Sequence, residues 1–516
     1  MDFLHQKLLD PAAYPDSTTR VSFRETHISR VYLTDTRAYK LKKPLDLGFL
    51  DFSTLAKRRH YCQEEVRLNR RFNSDTYLGV CGLYNNCGEI RFNGSGQLID
   101  YAVCMRRLPE TSMLKQMIFS QTEGLRERMP ELAQSLHELF SRAEVCRNED
   151  ASNPQVIINN CIENFEQTKL AIGEELTSEA HQLMQSHTNH NVQALKGLFV
   201  QREQAGFVRD GHGDLHTANI CMSTPIRIYD CIEFNRRFRV NDVASELAFL
   251  LMDLEFLNRR DLSKSLLQYY QDQQDNDPGL AQLLPFYKAY RAWVRGKVEA
   301  ILSREHDVDD KQRRDAANMA CRYFNLALGY ALAPTLFVVS GLMGTGKTTF
   351  ASALAKATGA KHYRSDVIRK QMGGIPEFTA VHSQYGKGLY SEDMTRWTYA
   401  KLIEMTIKSL PRQSVIVDAS FAKASDRQMF LQLALEKRVP SWFLFLQCPD
   451  DLAKNRLKVR QHDASDGRAE LFSKQKGHFD PIIPSENLIH VDTTKDVDQN
   501  VQQVLCQALM GQGGSR

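Results

Sequence analysis

The amino-acid sequence predicts two domains of different fold class: an α+β domain with two lobes over residues 1–332, and a doubly wound α/β domain over residues 333–516. Before Pro334, a stretch of short strands precedes long segments of helical periodicity, which is typical of a sheet lobe followed by a helical lobe. After Pro334, short apolar strands alternate with helical segments, which indicates a mostly parallel sheet covered on both faces. A chain of 516 residues also exceeds what one hydrophobic core usually organises.

The small lobe is expected at about residues 20–108, and the helical lobe at about residues 109–332. Residues 29–44 alternate apolar and polar side chains around a ThrAspThr turn, which predicts a β-hairpin with Lys40 and Lys42 on one face. Residues 53–72 favour an amphipathic helix with a Ser or Thr cap. Residues 89–109 indicate two further strands around the turn sequence AsnGlySerGly.

In the second domain, five short segments have the composition of buried strands. They are LFVVSG, KHYRSD, SVIVDA, WFLFLQC and NLIHVDT. Helical stretches separate them, so the five segments are expected to form one sheet. The sheet and its helices together make a domain of about 180 residues.

Composition excludes several classes of protein. A net charge of +4 over 516 residues is too weak to indicate a nucleic-acid or membrane partner. Eleven cysteines without paired spacing indicate reduced thiols, and the amino terminus lacks the layout of a signal peptide, so the expected location is the cytoplasm. The apolar stretch from Phe324 to Met343 is interrupted by Pro334, and we interpret it as a helix end followed by a buried strand.

A complete phosphate-binding loop follows the strand LFVVS and precedes a helix. The pattern G-x-x-x-x-G-K-[ST] is met by Gly341, Gly346, Lys347 and Thr348. Backbone N–H groups of such a loop hold the β-phosphate, the lysine reaches the β- and γ-phosphates, and the hydroxyl binds magnesium. The motif predicts binding of ATP with Mg²⁺ by nine residues: Gly341, Leu342, Met343, Gly344, Thr345, Gly346, Lys347, Thr348 and Thr349.

Two carboxylates follow strands of the same domain. Asp366 and Arg369 lie at a strand-to-helix junction, where ligands bind to parallel sheets. A carboxylate there can accept a hydroxyl proton, although helix capping is the structural alternative. Asp418 ends the strand SVIVD, from where a carboxylate can hold magnesium or merely cap the next turn.

An arginine-rich segment, RLKVRQHDASDGR, contains Arg456, Arg460 and Arg468. Arginines in this position can close over phosphates and neutralise the transferred charge. The alternative for each of them is a solvated charged helix.

These motifs, over about residues 334–510, resemble the small P-loop kinases that include zeta-toxin-like and polynucleotide-kinase-like enzymes. The resemblance implies that Asp366 activates an acceptor hydroxyl and that Arg369 binds acceptor phosphate. It also implies that Arg456, Arg460 and Arg468 belong to a lid. It does not identify the acceptor.

A second constellation lies in the first domain. The segment HGDLHTANI contains His212, Asp214 and Asn219 in the pattern H-x-D-x-x-x-x-N, and Asp230 ends the following strand IRIYD. Asp214 can accept a substrate proton, while Asn219 and Asp230 can bind magnesium across the phosphates. We interpret His212 as structural, and a hydrogen bond within the loop is the safer interpretation of His216.

This segment resembles aminoglycoside-phosphotransferase-like kinases over about residues 20–330. The resemblance implies that Lys40 of AYK binds phosphate, with Lys42 as the alternative. It also implies Glu65 as the helix partner of that lysine, with Glu64 as the rival. The hairpin differs from the glycine-rich loop that covers the nucleotide in protein kinases, because the sequence has no glycine before Gly48.

The whole arrangement resembles bacterial fusions of an α+β two-lobed kinase-like domain with an α/β doubly wound P-loop NTPase domain. That resemblance implies a phosphotransferase that uses ATP and Mg²⁺ at two nucleotide sites and transfers phosphoryl groups to hydroxyls of small molecules. One alternative is a P-loop kinase regulated by a catalytically silent amino-terminal module. Another is a nucleic-acid 5′-hydroxyl kinase, which the weak net charge disfavours. No sequence feature fixes the oligomeric state.

Overall fold

The computed structural model describes residues 3–48, 50–150, 152–273, 277–305, 308–379, 388–459, 464–483 and 487–513. The chain divides into two compact units, one formed by Met1–Asn160 with Gln193–Tyr287 and the other by Cys161–Val192 with Lys288–Arg516. The predicted fold class is confirmed, because the first unit contains an antiparallel sheet with helices and the second contains a parallel sheet connected by helices. The domain boundary between residues 332 and 333 stays a prediction.

The first unit begins with an antiparallel sheet and two helices. Its strands are β1 (Ser22–Glu25), β2 (Ser29–Leu33), β3 (Arg37–Lys42), β4 (Tyr77–Asn86), β5 (Glu89–Phe92) and β6 (Gln97–Arg106), and its helices are α1 (Phe3–Leu8) and α2 (Leu55–Asn69). The strand order is β1-β2-β3-β6-β4-β5. One side of the sheet buries an aromatic cluster of Tyr14, Tyr32, Tyr39 and Phe92.

The predicted hairpin and helix are confirmed, and together they place the lysines. Strands β2 and β3 pair antiparallel with Val31 opposite Lys40 and Ser29 opposite Lys42. Because side chains two residues apart point to the same face of a strand, both lysines project toward one side of the sheet. Helix α2 begins after Thr54, whose side chain accepts the N–H of Lys57, and it packs on β4 and β6.

The two strands predicted around AsnGlySerGly exist, but they do not pair with each other as a hairpin. Strand β4 lies between them and pairs antiparallel with both β5 and β6. Ten-residue β6 also pairs with β3, so it stands in the middle of the sheet rather than beside β5. Strand β4 escaped the sequence analysis because Gly79 and Gly82 interrupt its alternation.

Helices dominate the chain from residue 114 to residue 331. They are α3 (Leu114–Phe119), α4 (Met129–Arg142), α5 (Gln155–Thr168), α6 (Ser178–Ala205), α7 (Arg236–Arg239), α8 (Val243–Phe256), α9 (Arg260–Asp272), α10 (Leu280–Leu302) and α11 (Asp310–Ala331). Short strands β7 (Val208–Asp210) and β10 (Val240–Asp242) pair with each other, as do β8 (Ile220–Cys221) and β9 (Arg227–Ile228). Every residue of α8 is buried.

The second unit contains the five strands that the sequence predicted. They are β11 (Leu336–Ser340), β12 (Lys361–Arg364), β13 (Val415–Asp418), β14 (Ser441–Gln447) and β15 (Leu488–Asp492). All neighbouring pairs are parallel, in the order β12-β13-β11-β14-β15. The helices are α12 (Lys347–Thr358), α13 (Ser365–Met372), α14 (Glu392–Ser409), α15 (Ala424–Lys437), α16 (Asp450–Val459), α17 (Ala469–Gly477) and α18 (Val497–Gly513).

Candidate functional site

The phosphate-binding loop of the second unit joins buried strand β11 to helix α12. Gly346 precedes the helix with a φ of 83°, and Gly344 has a φ of 79°. A Cβ at Gly344 would lie 2.4 Å from the carbonyl oxygen of Ala453, so the tight loop has room only for glycine there. The first N–H groups of an α-helix have no carbonyl partner within the helix, and at the start of α12 they directly follow the loop. This order of loop and helix is the arrangement that binds phosphate.

The first residues of α12 place a hydroxyl beside a carboxylate. Thr348 Oγ1 donates a 2.8 Å hydrogen bond to Asp418 Oδ2, and Lys347 Nζ donates to the carbonyl oxygen of Leu342 at 2.8 Å. Asp418 ends β13 opposite Val339 of β11, so the register of the sheet brings it to the loop. These two neighbouring oxygens, Thr348 Oγ1 and Asp418 Oδ2, fit the oxygen ligands that Mg²⁺ prefers.

Asp418 remains ionised in this setting. Burial raises the pKa of its carboxyl, but the hydrogen bond from His362 and the charge of Lys347 outweigh burial and leave the pKa lowered. His362 Nε2 lies 3.3 Å from Asp418 Oδ2. The sequence analysis missed His362, although its place on strand β12, beside β13, could have indicated contact with the carboxylate.

Asp366 and Arg369 lie on helix α13 and line the same cavity as the phosphate-binding loop. Burial raises the pKa of Asp366, while Arg369 and a hydrogen bond with Ser465 act in the opposite direction. Arg369 Nη1 donates to Leu389 O and to Thr395 Oγ1, each at 3.1 Å. The guanidinium stacks over the ring of Tyr390 at 4.7 Å, so it is held in a fixed position.

The cavity has a volume of about 1190 Å³. Its lining includes Lys347, Thr348, Asp366, Arg369, Asp418 and Arg456. The structure therefore brings the predicted phosphate-binding, metal-binding and acceptor-binding side chains to one space. That space is large enough for a nucleotide together with a small acceptor.

The three predicted lid arginines differ in their positions. Arg456 lies on α16 and donates to Thr493 Oγ1 at 3.0 Å and to Thr493 O at 2.8 Å, close to Gly346. Arg468 directly precedes α17 and is not among the described residues that line the cavity, although its neighbour Gly467 is. Arg460 lies outside the described residues.

In the first unit, the structure brings Lys40 and Glu65 together. Lys40 Nζ lies 3.0 Å from Glu65 Oε1, and Lys42 Nζ lies 2.7 Å from Glu65 Oε2. Burial favours the protonated form of Glu65, but the two lysines outweigh it and lower the pKa of Glu65 to about 2. Glu64 instead pairs with Arg67 at 2.7 Å toward solvent.

The loop from His212 to Asn219 gathers polar groups around Asp214. Asn219 Nδ2 donates to the carbonyl oxygen of Asp214 at 2.9 Å and to its Oδ2 at 3.3 Å. His216 Nε2 lies 3.3 Å from the same Oδ2, while His216 Nδ1 accepts the N–H of Ala218. Because Nδ1 is an acceptor, neutral His216 carries its proton on Nε2 and donates it to Asp214.

His212 is structural, as its sequence context indicated. Its side chain is fully buried and its Nε2 lies 2.8 Å from the carbonyl oxygen of Tyr229, to which it donates. Burial lowers the pKa of His212, so the ring is neutral. This hydrogen bond, with the one from Tyr229 N–H to Asn219 O, ties the loop to the residue before Asp230.

Asp230 has a φ of 66°, and its N–H donates to the hydroxyl of Tyr77 at 3.0 Å. This left-handed backbone conformation is uncommon for a residue other than glycine and marks a position that tertiary contacts hold in place. The Asp230 carboxylate contacts Lys40 Nζ. Asp214, Asn219 and Asp230 thus lie in one region of the first unit, with Asp230 linked to the predicted phosphate-binding lysine.

Two buried carboxylates that the sequence analysis missed hold the 212–219 loop from helix α8. Glu246 Oε1 accepts the N–H of Gly213 at 2.7 Å. Asp253 Oδ2 accepts both the N–H and the hydroxyl of Thr217, at 2.9 and 2.5 Å. Their seven-residue spacing in a mostly apolar helix is the signal that could have indicated one shared face.

Residues 336–482 match the family model described as AAA domain, which covers the phosphate-binding loop, Asp366, Arg369 and Asp418. The predicted P-loop nucleotide-binding domain is therefore confirmed at the carboxy-terminal end. Among the described residues, no helix has the length and apolar character needed to cross a membrane.

Two relatives and one solved structure are similar to different parts of this chain. An uncharacterised protein of Mycobacterium tuberculosis (strain ATCC 25618 / H37Rv) is 28% identical over 457 residues, which are 87% of this chain and 88% of that protein. A probable gluconokinase of Xenopus tropicalis is 25% identical over 182 residues, 33% of this chain and 90% of that protein. The crystal structure of a choline/ethanolamine kinase family protein from Mesorhizobium loti covers 70% of this chain and 100% of its own, with 12% identity and a TM-score of 0.39.

Proposed function

We propose that this protein is an ATP- and Mg²⁺-dependent phosphotransferase with two nucleotide sites, which transfers the γ-phosphoryl group to hydroxyls of small molecules. The observation that carries the proposal is the shared cavity of the second unit, where the Thr348–Asp418 pair and the Asp366–Arg369 pair face one space. The AAA domain match and the sequence similarity to a probable gluconokinase support a kinase-like phosphotransferase in general terms.

In the second unit, each side chain has a defined task in this proposal. Lys347 turns from Leu342 O to the phosphates, and Thr348 with Asp418 holds the metal ion. Bound MgATP supplies the γ-phosphoryl group, and its metal ion neutralises charge on the phosphate oxygens. Asp366 accepts the proton of the acceptor hydroxyl as that oxygen bonds to phosphorus, and ADP leaves with the electron pair of the broken P–O bond.

In the first unit, the proposal assigns the proton acceptor to Asp214, which is 37% exposed at its side chain and oriented by Asn219 and His216. Asn219 and Asp230 would hold magnesium, and Lys40, oriented by Glu65, would bind phosphate. Lys40 can bind phosphate only when its ion pair with Asp230 is broken. A metal ion held by Asp230 would favour that release, because it competes with the lysine for the carboxylate.

The acceptor of the second unit is a small molecule in this proposal. The cavity of about 1190 Å³ that also holds the nucleotide leaves limited space beside Asp366. Arg369, whose Nε has no hydrogen-bond partner among the described residues, is suited to an anionic group on that acceptor.

The test uses radiolabelled ATP with a panel of hydroxylated metabolites and the full-length chain. Lys347→Ala and Asp214→Ala should each abolish part of the transfer, because each removes a charged group from a different site. Lys361→Ala and Asp272→Ala, exposed residues of the same types, are the matched controls. Transfer that stays intact in both site variants would exclude the proposal.

A second candidate function assigns regulation to the first unit. The observation that favours it is the hairpin β2–β3, which has no glycine to cover a triphosphate. Under this alternative, Asp214→Asn leaves every turnover unchanged while ATP still raises the thermal stability of the Lys347→Ala protein. Loss of some turnover in Asp214→Asn would reject the alternative. Phosphorylation of 5′-hydroxyl oligonucleotides at low salt would instead favour a nucleic-acid kinase.

A further inference from the structure

Five charged side chains of the first unit form a ladder in which the signs alternate. Its members in spatial order are Asp230, Lys40, Glu65, Lys42 and Glu233. Lys40 and Lys42 come from the same face of β3, Glu65 comes from α2, and the two end carboxylates come from the segment after β9. Each lysine therefore contacts one oxygen of Glu65 and one carboxylate of the 230–233 segment.

The two ends of the ladder differ in their exposure to solvent. At the open end, the side chain of Asp230 is 41% exposed and that of Lys40 is 11% exposed. At the closed end, Lys42 is 0% exposed and Glu233 is 4% exposed. A phosphate or metal ion can therefore reach Asp230 and Lys40, whereas Lys42 and Glu233 are shielded from any ligand.

A buried ion pair at the closed end is a poor source of stability. Removing two charges from water costs about as much free energy as their attraction returns, so apolar replacement of such a pair is often neutral for folding. Lys42 also packs over the ring of Phe52, with Nζ 4.9 Å from its centre, a contact that an apolar side chain could keep. The charges of Lys42 and Glu233 are explained better by their effect on the orientation of the Glu65 carboxylate.

Glu65 has two oxygens, and each is bound to a different lysine. Lys42 holds Oε2 at 2.7 Å, which fixes the rotation of the carboxylate and leaves Oε1 directed at Lys40. Glu233 holds Lys42 from the other side and anchors the segment that carries Asp230. If Asp230 held a metal ion, Lys40 would lose one partner and would keep its position only through Glu65.

We propose that Lys42 and Glu233 are positioning residues for nucleotide binding in the first unit. They act through Glu65 and keep Lys40 in place when Asp230 leaves it for a metal ion. The inference rests on the proposed nucleotide site of that unit. It goes beyond that site because neither side chain can touch the nucleotide.

The experiment separates folding from positioning in the full chain, in a Lys347→Ala background that removes the phosphate-binding lysine of the second unit. The variants are Lys42→Met, Glu233→Gln and Lys42→Met/Glu233→Leu. Lys57→Met/Asp51→Asn, which removes an exposed pair in the same unit, is the matched control. Two quantities are measured: the thermal midpoint, and the dissociation constant of a fluorescent ATP analogue with Mg²⁺.

Lys42→Met alone should lower the thermal midpoint, because it leaves Glu233 buried without its cation. The double replacement should restore the midpoint to that of the background protein, yet its dissociation constant should stay raised by about tenfold, equivalent to about 1.4 kcal/mol of lost orientation. If affinity recovers together with the midpoint, the pair is only structural and the inference is overturned.

Glu233→Gln tests the positioning role without removing both charged side chains from the closed end of the ladder. It keeps the size of the side chain, so the fold should be retained, but it removes the negative charge that holds Lys42. The dissociation constant should therefore rise. A dissociation constant within about twofold of the background for Glu233→Gln would contradict the inference. If the background protein with an intact ladder binds no Mg²⁺-nucleotide, the nucleotide site of the first unit fails, and this inference fails with it.

Discussion

Thr348 Oγ1 donates a hydrogen bond to Asp418 Oδ2 at 2.8 Å, which joins the first turn of α12 to the end of β13. One oxygen from a helix and one from a strand of the parallel sheet are thus adjacent. In the proposed function this pair would hold the divalent cation, because Mg²⁺ prefers oxygen ligands and ligands bind at this edge of a parallel sheet.

Thr348→Val should raise the Mg²⁺ concentration needed for half-maximal phosphotransfer by about tenfold or more, because it removes one ligand oxygen and keeps the size of the side chain. The hydrogen bond to the ionised Asp418 contributes about 1.5–3 kcal/mol. Asp418 keeps its contact with His362, so the fold should be retained. A Mg²⁺ titration of the initial rate measures the effect. Ser352→Ala on the same helix is the control, and an unchanged Mg²⁺ requirement in Thr348→Val would exclude a metal site at this hydroxyl.

The pH dependence of phosphotransfer by the second unit should report the environment of Asp366. As the proton acceptor, Asp366 works in its ionised form, so the rate falls when the pH falls through its pKa. Burial raises that pKa above the usual value of 3.8, and Arg369 opposes the rise. Arg369→Gln should therefore move the acid limb of kcat/KM to higher pH, and Arg369→Lys should move it less.

The control for this profile is Arg412→Gln, which removes an exposed arginine of the same unit. Its acid limb should coincide with that of the unchanged protein. An acid limb that stays in place in Arg369→Gln, or moves to lower pH, would contradict the role of Asp366.

His216→Ala should lower turnover in the first unit by about ten- to a hundredfold, because Asp214 loses the donor that orients its carboxylate. The KM for ATP should change less than the turnover, since the ring contacts Asp214, Asn219 and Ala218 rather than the lysine proposed to bind phosphate. Single-turnover phosphotransfer in the Lys347→Ala background measures the effect, with exposed His190→Ala for comparison. A change confined to KM would assign His216 to nucleotide binding instead.

Asp253→Ala should destabilise the first unit by about 1–3 kcal/mol, because the buried N–H and hydroxyl of Thr217 lose their shared acceptor. Asp261→Ala breaks a largely exposed pair with Arg259 and should cost less than about 1 kcal/mol. Chemical denaturation followed by circular dichroism compares the two variants. Equal midpoints for them would show that Asp253 does not support the loop.

The features that the sequence alone could predict are those set by local motifs. The phosphate-binding loop and the five strands after Pro334 are continuous in sequence, so glycine positions and apolar runs were sufficient. The pairing of Lys40 with Glu65 followed from a strand alternation and a helix periodicity in adjacent segments, together with the family resemblance. In each of these cases the deciding residues lie in one segment or in two adjacent ones.

Other features depend on contacts between distant segments, which a single sequence does not specify. The insertion of β4 between β5 and β6 is decided by sheet pairing rather than by the turn at AsnGlySerGly. Glu246, Asp253 and His362 have ordinary local contexts, and their importance comes from the backbone or carboxylate that they meet. Their contacts became evident only from the folded chain.

Helix α8 is buried along its whole length, and it supplies the carboxylates that accept the Gly213 and Thr217 N–H groups. Those two amides can exchange hydrogen with water only when their hydrogen bonds to the helix open. The segment around Asp214 therefore has the rigidity of the interior, although the Asp214 side chain itself is 37% exposed. A substitution that loosens the packing around α8 would therefore make the positions of the side chains in this segment less well defined, and it would do so before it unfolds the unit.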